Sequence, residues 1–237
     1  KGTFALCFIF EGEDNLMIAS RKGSPLAIGY GDGEMFVGSD AIALHPLTNR
    51  ISYLEDGDLV LLTRQKALIE DANGNHVNRK VKTLRSETIS YEKEGFTHFM
   101  EKEIYQQPRA IADALRVYLN PNGSIQLGNS NLDFKSVKQV TLVACGTAYY
   151  ACLTAKYWFE KLARIHVEVD IASEFRYRAP PIGKATLAIF VSQSGETADT
   201  LAALRYCKGK ANTIWSVTNV SESSIAREAD FNLSIYA

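Results

Sequence analysis

The chain has 237 residues, of which 46% are hydrophobic and 22% charged, and its formal net charge is -1. This composition is typical of a soluble globular protein that is long enough for two domains. Because the charges balance and no basic stretch stands out, nucleic acid is not an expected partner. No apolar run approaches the roughly 18 residues that a membrane span needs, so we expect no membrane partner either.

The four cysteines are Cys7, Cys145, Cys152 and Cys207. Their spacing fits neither a zinc site nor a dense disulfide framework, which favours a reducing, cytoplasmic setting. The four histidines are scattered along the chain, so we expect no metal site.

Residues 1–90 are predicted to be rich in β-strands. Short runs of alternating apolar and polar residues are separated by turn signals at Asp56-Gly57 and Asn73-Gly74, which predicts an antiparallel sheet or sandwich. Only the stretch from Ser39 to Leu44 has helical character. The glycines of GYGDG, residues 29–33, lack the GxGxxG spacing and favour a hairpin turn over a dinucleotide site.

Residues 91–136 have a different pattern. The run THFMEKEIYQQPRAIADALRVYL has helical periodicity, and Pro108 inside it predicts two helices or a kink. The polar run NPNGSIQLGNSNLDF that follows is predicted to be a linker. His98, at the start of the helical run, is interpreted as a surface or interdomain residue.

Residues 137–237 alternate between predicted strands and helices. This alternation with short turns predicts a doubly wound α/β layer with a parallel sheet. The strand-like runs are VKQVTLVA, HVEVDIA, TLAIFVS, TIWSVTN and FNLSIYA, and the helical runs between them are AYYACLTAKYWFEKLA, ASEFRYR, ADTLAALRYCK and SSIAREA.

Two polar turns follow buried-type strands in this α/β layer. They are CGTA, residues 145–148, and SQSGET, residues 192–197. Ligands of open parallel sheets bind beyond the carboxyl ends of the strands, where each following helix presents free N–H groups. Small hydroxyls and glycines in such turns suit a phosphate monoester, whereas a nucleoside triphosphate usually requires a P-loop lysine that neither turn contains. Glu196 is expected to point away from a bound phosphate because the charges have the same sign.

Alternative interpretations of these residues remain open. Serine and threonine also cap helices that bind nothing. Cys145 follows a strand and opens a helix, as a nucleophilic thiol would, but the sequence places no histidine to act as its base. The other three cysteines fall within apolar runs and are expected in the core.

Three further groups of residues have structural interpretations. Five aromatic residues crowd one predicted helix, where most would be core and some would suit an interface between copies. The charged runs EKE at 101–103 and RYR at 176–178 fit either solvated helix faces or interdomain and intersubunit salt bridges. The five aromatic residues are Tyr149, Tyr150, Tyr157, Trp158 and Phe159.

The motifs CGTA, ASEFRYR, SQSGETADT and SVTNVSESSIAREAD resemble the first sugar-isomerase (SIS) domain of the isomerising glutamine–fructose-6-phosphate aminotransferases, the glucosamine-6-phosphate synthase family. FTHFMEKEIYQQPRAI resembles the segment that joins the two domains of that family, and SPLAIGYGDGEMFVGSDAIALHPLTNR resembles the later part of its glutaminase domain. The resemblance covers essentially the whole chain in the family's order.

This resemblance implies a fold and a reaction. The fold is α/β overall: the β-rich end of an N-terminal-nucleophile (Ntn) hydrolase glutaminase domain at 1–90, interdomain helices and a linker at 91–136, and a flavodoxin-like SIS domain from 137 to 237 that is incomplete at its C-terminal end. The family transfers ammonia from glutamine to fructose 6-phosphate and forms glucosamine 6-phosphate, the first step of hexosamine synthesis. It uses no metal or organic cofactor and is typically a homodimer.

The resemblance also implies roles for particular residues. Positions matching the phosphate-binding and sugar-contacting loops of the family are Cys145, Gly146, Thr147, Ser192, Gln193, Ser194 and Thr197. Ala148 stands where the family usually has serine, which puts one hydroxyl contact in doubt. The family's N-terminal cysteine and glutamine-binding residues would precede Lys1, and its ring-opening and isomerising residues would follow Ala237. We therefore expect an internal fragment that carries no catalytic residue and releases no glutamate from glutamine by itself.

Two other functions fit an SIS domain. One is a non-catalytic module that binds a sugar phosphate, such as the sensor of a regulator. The other is a related SIS deglycase or isomerase. A regulator would carry a helix-turn-helix within residues 1–90, where this sequence predicts strands, and the related enzymes lack a glutaminase-like half.

Overall fold

The computed structural model describes residues 2–84, 93–128, 130 and 132–236. The chain divides into two compact units, Lys1–Glu87 and Thr88–Ala237. Among the described residues, no helix is both long enough and apolar enough to cross a membrane.

The first unit is built from two antiparallel sheets. The five-stranded sheet has the order β1-β2-β6-β7-β8 and the four-stranded sheet the order β4-β3-β5-β9. The bounds are β1 Phe4–Ile9, β2 Met17–Lys22, β3 Ala27–Tyr30, β4 Met35–Gly38, α1 Ala41–Leu44, β5 Arg50–Tyr53, β6 Leu59–Leu62, β7 Ala67–Glu70, β8 His76–Val77 and β9 Lys82–Thr83.

The two sheets of this unit pack face to face. One buried cluster joins Ala19, Val60 and Ile69 of the larger sheet to Ile28 of the smaller one, so the predicted sandwich is confirmed. The run GYGDG forms the β3–β4 hairpin turn, in which the Gly31 N–H donates to the Glu34 carbonyl at 3.0 Å.

Cys7 is not in the core, contrary to the expectation from its apolar run. Strand β1 lies at the edge of its sheet, and all six of its residues are exposed. Partial desolvation still raises the pKa of the Cys7 thiol. An apolar run signals a surface that favours burial, but it does not identify what covers that surface.

The second unit begins with helix α2, Phe99–Tyr118. Of the two alternatives predicted at Pro108, two helices or a kink, the first is wrong, because α2 is one helix that continues through Pro108. Pro108 lies on an exposed face, where water can satisfy the carbonyl that loses its intrahelical partner. The Tyr118 hydroxyl at the end of α2 donates to the Ser234 carbonyl at 2.9 Å and accepts from the Ser234 N–H at 2.7 Å.

The rest of the second unit is the predicted doubly wound layer. Its five strands have the order β11-β10-β12-β13-β14, and every neighbouring pair is parallel. The bounds are β10 Gln139–Ala144, α3 Gly146–Trp158, β11 His166–Ile171, α4 Ala172–Arg178, β12 Thr186–Val191, α5 Ala198–Cys207, β13 Thr213–Thr218, α6 Ser224–Glu228 and β14 Phe231–Ser234.

The sheet is covered on both faces. Helix α3 packs on one face through Cys152, next to Val140 and Leu142 of β10. Helices α4, α5 and α6 cover the other face, where Phe175 of α4 and Leu204 of α5 pack in one buried cluster with side chains of the strands. Burial raises the pKa of Cys152 to about 11 and that of Cys207 to about 12, so both thiols are core groups, as predicted.

Most of the aromatic residues of α3 are not core, in contrast to the expectation from helical spacing. Tyr150, Tyr157 and Trp158 are 66%, 69% and 63% exposed, while Tyr149 and Phe159 pack partly against the sheet. A helix on the outer layer buries only one stripe, and the sequence of α3 is apolar on more than one side.

The charged runs pair within the second unit. Arg176 lies 3.3 Å from Asp199, and Arg178 pairs with Asp170 and Glu168. Lys102 of the EKE run is 3% exposed and lies 3.1 Å from Glu94. These ion pairs tie neighbouring segments of the second unit together.

The core on the α5 side gives a stability prediction. Phe190 of β12 is fully buried, so Phe190→Ala should lower the free energy of unfolding by about 3–5 kcal/mol. Both tryptophans, Trp158 and Trp215, lie in the second unit, so their fluorescence during denaturant unfolding reports on that unit. The matched control is Tyr177→Ala, at a ring that is 73% exposed, with an expected loss of about 1 kcal/mol or less. Equal losses for the two variants would contradict this packing.

Candidate functional site

The two polar turns lie side by side at the carboxyl ends of two neighbouring strands of the parallel sheet. Strands β10 and β12 are neighbours, and their last residues, Ala144 and Val191, are directly paired. Cys145 and Ser192 are therefore the first residues beyond the sheet on adjacent strands. The chain leaves β10 towards β11 on one side and later returns to β12 on the other. This is a topological switch point, where open α/β sheets form a crevice.

The loop from Ser192 to Thr197 is held by its own hydroxyls. Ser192 is 4% exposed, its Oγ accepts from the Gly195 N–H at 3.1 Å, and it lies 2.9 Å from the Thr197 Oγ1. The Ser194 Oγ accepts from the Glu196 N–H at 3.2 Å. Ser192 thus lies inside the loop and shapes it, while Gln193 is exposed and Ser194 and Thr197 are half-buried.

The helices that follow the two turns begin without a side-chain cap. Cys145 is the N-cap of α3 and Thr197 is the N-cap of α5, and neither side chain bonds to the first turn of its helix. Asp40 caps α1 and Ser223 caps α6, whereas α2 and α4 also begin without a side-chain cap. The first N–H groups of a helix have no intrahelical partner, so α3 and α5 offer theirs to a ligand at the positive ends of two helix dipoles.

The CGT turn is open to solvent. Cys145 is half-buried, and Gly146 and Thr147 are exposed. Gly146 has φ of +57°, with no atom within 4 Å of where a Cβ would stand. Its left-handed conformation and the open space let a ligand approach the backbone closely. Ala148 packs partly against the core under α3, so at this position the backbone N–H is the remaining donor.

Acidic side chains near the loop are bound to other groups. The Glu196 Oε1 accepts from the Ser224 N–H at 2.8 Å, and Asp199 in the first turn of α5 pairs with Arg176. Glu196 is therefore directed to the start of α6.

The arrangement gives no support to a nucleophilic Cys145 or to a metal centre. His166 begins β11 opposite Gln139, at the amino ends of the strands, which is six residues and therefore roughly 20 Å from Cys145. Within the described ranges, no group of three histidine, cysteine or acidic side chains could hold a metal ion.

The sequence reasoning missed a third turn, residues 219–224, which follows β13. The Asn219 N–H donates to the Gln193 carbonyl at 2.9 Å, and the Ile225 N–H just beyond the turn donates to the Gly195 carbonyl at 3.0 Å. The signal was available, because NVSESS is a polar run directly after a buried strand. This third turn therefore holds the backbone of the loop at 192–197 through these hydrogen bonds.

Comparison with known proteins identifies the class of the second unit. Residues 133–237 match the family model of the SIS domain, and this part of the chain is an SIS domain with a parallel five-stranded sheet. A solved structure described as the C-terminal domain of glucosamine-fructose-6-phosphate aminotransferase from Francisella tularensis aligns with a TM-score of 0.57 and 42% identity. That alignment covers 61% of this chain and 41% of that one.

Two curated relatives carry a closely related name. The chain is 54% identical over 231 residues to the glutamine–fructose-6-phosphate aminotransferase (isomerizing) of Brucella abortus, and 53% identical over 232 residues to that of Bradyrhizobium diazoefficiens. Each match covers 97% of this chain and 38% of the relative. The chain therefore spans about two fifths of the length of the curated relatives it matches.

The packing of Gly195 gives a prediction for the loop. Gly195 has φ of +68°, and a Cβ there would stand 1.9 Å from the Ser223 Oγ. The control is Gly209, with φ of +73° and open space around it. Gly209→Ala should cost about 1–2 kcal/mol from backbone strain alone, and Gly195→Ala about 1–3 kcal/mol more from overpacking. Denaturant unfolding followed by tryptophan fluorescence measures both, and equal costs would contradict the described contact with Ser223.

Proposed function

We propose that this chain is the phosphosugar-binding part of an isomerising glutamine–fructose-6-phosphate aminotransferase, and that fructose 6-phosphate binds beyond β10 and β12. The observation that carries the proposal is the pair of uncapped helix starts on adjacent parallel strands. Their N–H groups and dipoles favour a dianionic phosphate. The names of the curated relatives supply the sugar.

The hydroxyls of the loop complement these N–H groups. The Ser194 Oγ already accepts from an N–H, so its own hydrogen is free to donate to a phosphate oxygen. When Ser192 donates to Thr197, the Thr197 hydrogen is also available for the ligand. Thr147 of the other turn is exposed beside them. The proposed substrate-binding residues also include Cys145, Gly146 and Gln193, which lie in the same two turns and would contribute backbone groups.

The site suits a monoester better than a nucleotide. Neither residues 145–148 nor residues 192–197 contain a lysine, and Arg176 is paired with Asp199. Binding by dipoles and N–H groups fixes the phosphate and thereby orients the sugar. The proposed role of this segment is to hold the substrate, and none of its residues is assigned a catalytic step.

We propose that residues 1–90 belong to the glutaminase half, that 91–136 join the halves, and that 137–237 are the first SIS domain. Ammonia from glutamine would then convert fructose 6-phosphate to glucosamine 6-phosphate, in the cytoplasm. Sequence identity that continues through 97% of the chain supports this assignment. The β-sandwich of the first unit also favours it over a regulator with a helix-turn-helix.

Removal of one loop hydroxyl tests the binding proposal. Ser194→Ala should weaken fructose 6-phosphate binding by about 1–3 kcal/mol, the usual contribution of a hydrogen bond to a charged group. Isothermal titration calorimetry measures the affinity. The matched control is Ser136→Ala, because Ser136 precedes β10 and therefore lies at the amino ends of the strands, away from the proposed site. An unchanged affinity for Ser194→Ala, or an equal loss for Ser136→Ala, would argue against this site.

We further propose that the chain forms a homodimer through the outer side of α3. Tyr150, Tyr157 and Trp158 lie at positions that share one side of the helix, and Leu162 continues this side at 78% exposure. Aromatic residues grouped in this way are typical of interfaces between subunits.

The dimer proposal predicts the effect of a charge on this face. In light scattering coupled to size exclusion, the wild-type chain should have twice the monomer mass of 26.2 kDa. The variant Trp158→Lys should have the monomer mass, because a buried unpaired charge destabilises an interface. Tyr177→Lys, on α4 and also exposed, should leave the mass unchanged. A wild-type chain that is monomeric at high micromolar concentration would refute the proposal.

A further inference from the structure

The turn after β13 and the loop at 192–197 are joined by backbone hydrogen bonds. Asn219 donates to the Gln193 carbonyl, and Ile225 donates to the Gly195 carbonyl. The Ser192 N–H donates to the Val217 carbonyl at 3.0 Å, at the end of β13. Three successive points of the loop are therefore fixed to one neighbouring segment.

Glu196 adds a carboxylate to the contacts between this loop and the turn. Its Oε1 accepts from the Ser224 N–H at 2.8 Å, and Ser224 is 4% exposed. Ser223 beside it is fully buried and occupies the space next to Gly195. The carboxylate thus adds a charge-assisted hydrogen bond to this contact, in partly buried surroundings where such a bond is strong.

We infer that Glu196 is a positioning residue for the phosphate loop. This inference rests on the proposed function of the same site. The Glu196 N–H is bonded to the Ser194 Oγ, so a carboxylate held by Ser224 also holds the backbone that orients Ser194. Released from Ser224, the carboxylate would be free to turn towards the anion, and the loop would lose one of its fixed points.

A positioning role differs from a purely electrostatic one in its response to substitution. If the charge acted only by repelling the ligand, its removal would tighten phosphate binding in every variant. If the hydrogen bond positions the loop, glutamine should substitute for glutamate, because its amide oxygen also accepts from the Ser224 N–H. Alanine removes the acceptor and should therefore not substitute for glutamate.

The test compares Glu196→Ala and Glu196→Gln with a charge control, Asp199→Ala. Asp199 lies in the first turn of α5, so Asp199→Ala removes the same charge at a side chain that pairs with Arg176 and not with the turn at 219–224; the released Arg176 can only favour an anion. The probe is fructose 6-phosphate in calorimetry. We expect Glu196→Ala to bind about tenfold more weakly. We expect Glu196→Gln to remain within about threefold of the wild type, and Asp199→Ala to show no loss.

Amide hydrogen exchange at Ser224 gives a second readout that does not depend on binding strength. Its N–H should exchange at least about tenfold faster in Glu196→Ala than in the wild type and at the wild-type rate in Glu196→Gln. Added fructose 6-phosphate should slow exchange at Ser224 in the wild type and in Glu196→Gln, because a ligand and a contact that favour the same loop conformation stabilise each other.

The outcomes separate this inference from the proposed function. If the wild type does not bind fructose 6-phosphate, the proposed function fails and the positioning role fails with it. If the wild type binds and Glu196→Ala binds equally well, only the positioning role is overturned. A loss in Glu196→Ala that glutamine does not restore also overturns it. If Glu196→Ala does not fold, Glu196→Gln decides, because tighter binding by more than about threefold would show a repulsive charge instead.

Discussion

The register between β10 and β12 is the constraint on which the rest of the site depends. Because these parallel strands are neighbours and end at paired residues, Ala144 and Val191, the turns beyond them lie together. The helices that follow pack on opposite faces of the sheet, so their starts converge on one crevice while their bodies diverge. A change of one residue in this register would separate the two sets of free N–H groups.

The many hydroxyls of the loop at 192–197 have two distinct tasks. Ser192 is used internally, to hold the Gly195 N–H and to meet Thr197. Ser194 and Thr197 are half-buried. Ser194 keeps a hydrogen that can be donated outwards, and Thr197 keeps one when Ser192 is the donor of the bond between them. Serine and threonine suit both tasks because they are small, and because a hydroxyl accepts and donates at once. The loop is then supported from behind by the turn at 219–224, so its shape does not depend on its own hydrogen bonds alone.

The sequence predicted the architecture of the second unit well, because buried strands and amphipathic helices alternate there without ambiguity. It could not predict which hydroxyls face inwards, since Ser192 and Ser194 differ only in their position on a tight turn. The exposure of Cys7 and Trp158 was missed for another reason: apolar character shows that a surface favours burial, but it does not show what covers it. The polar run at 219–224 was visible in the sequence, but its contacts with the loop were not, because most of them are made by backbone groups, which carry no residue-type signal.

We propose that a sugar phosphate binds between the starts of α3 and α5. The most direct measurement is a titration of the chain with fructose 6-phosphate, followed by backbone amide shifts in NMR, with unphosphorylated fructose as the comparison. This account predicts that the largest shifts occur at Gly146, Thr147 and residues 194–199 and that fructose does not reproduce them at the same concentration. Shifts elsewhere, no shifts, or equal shifts with fructose would contradict it.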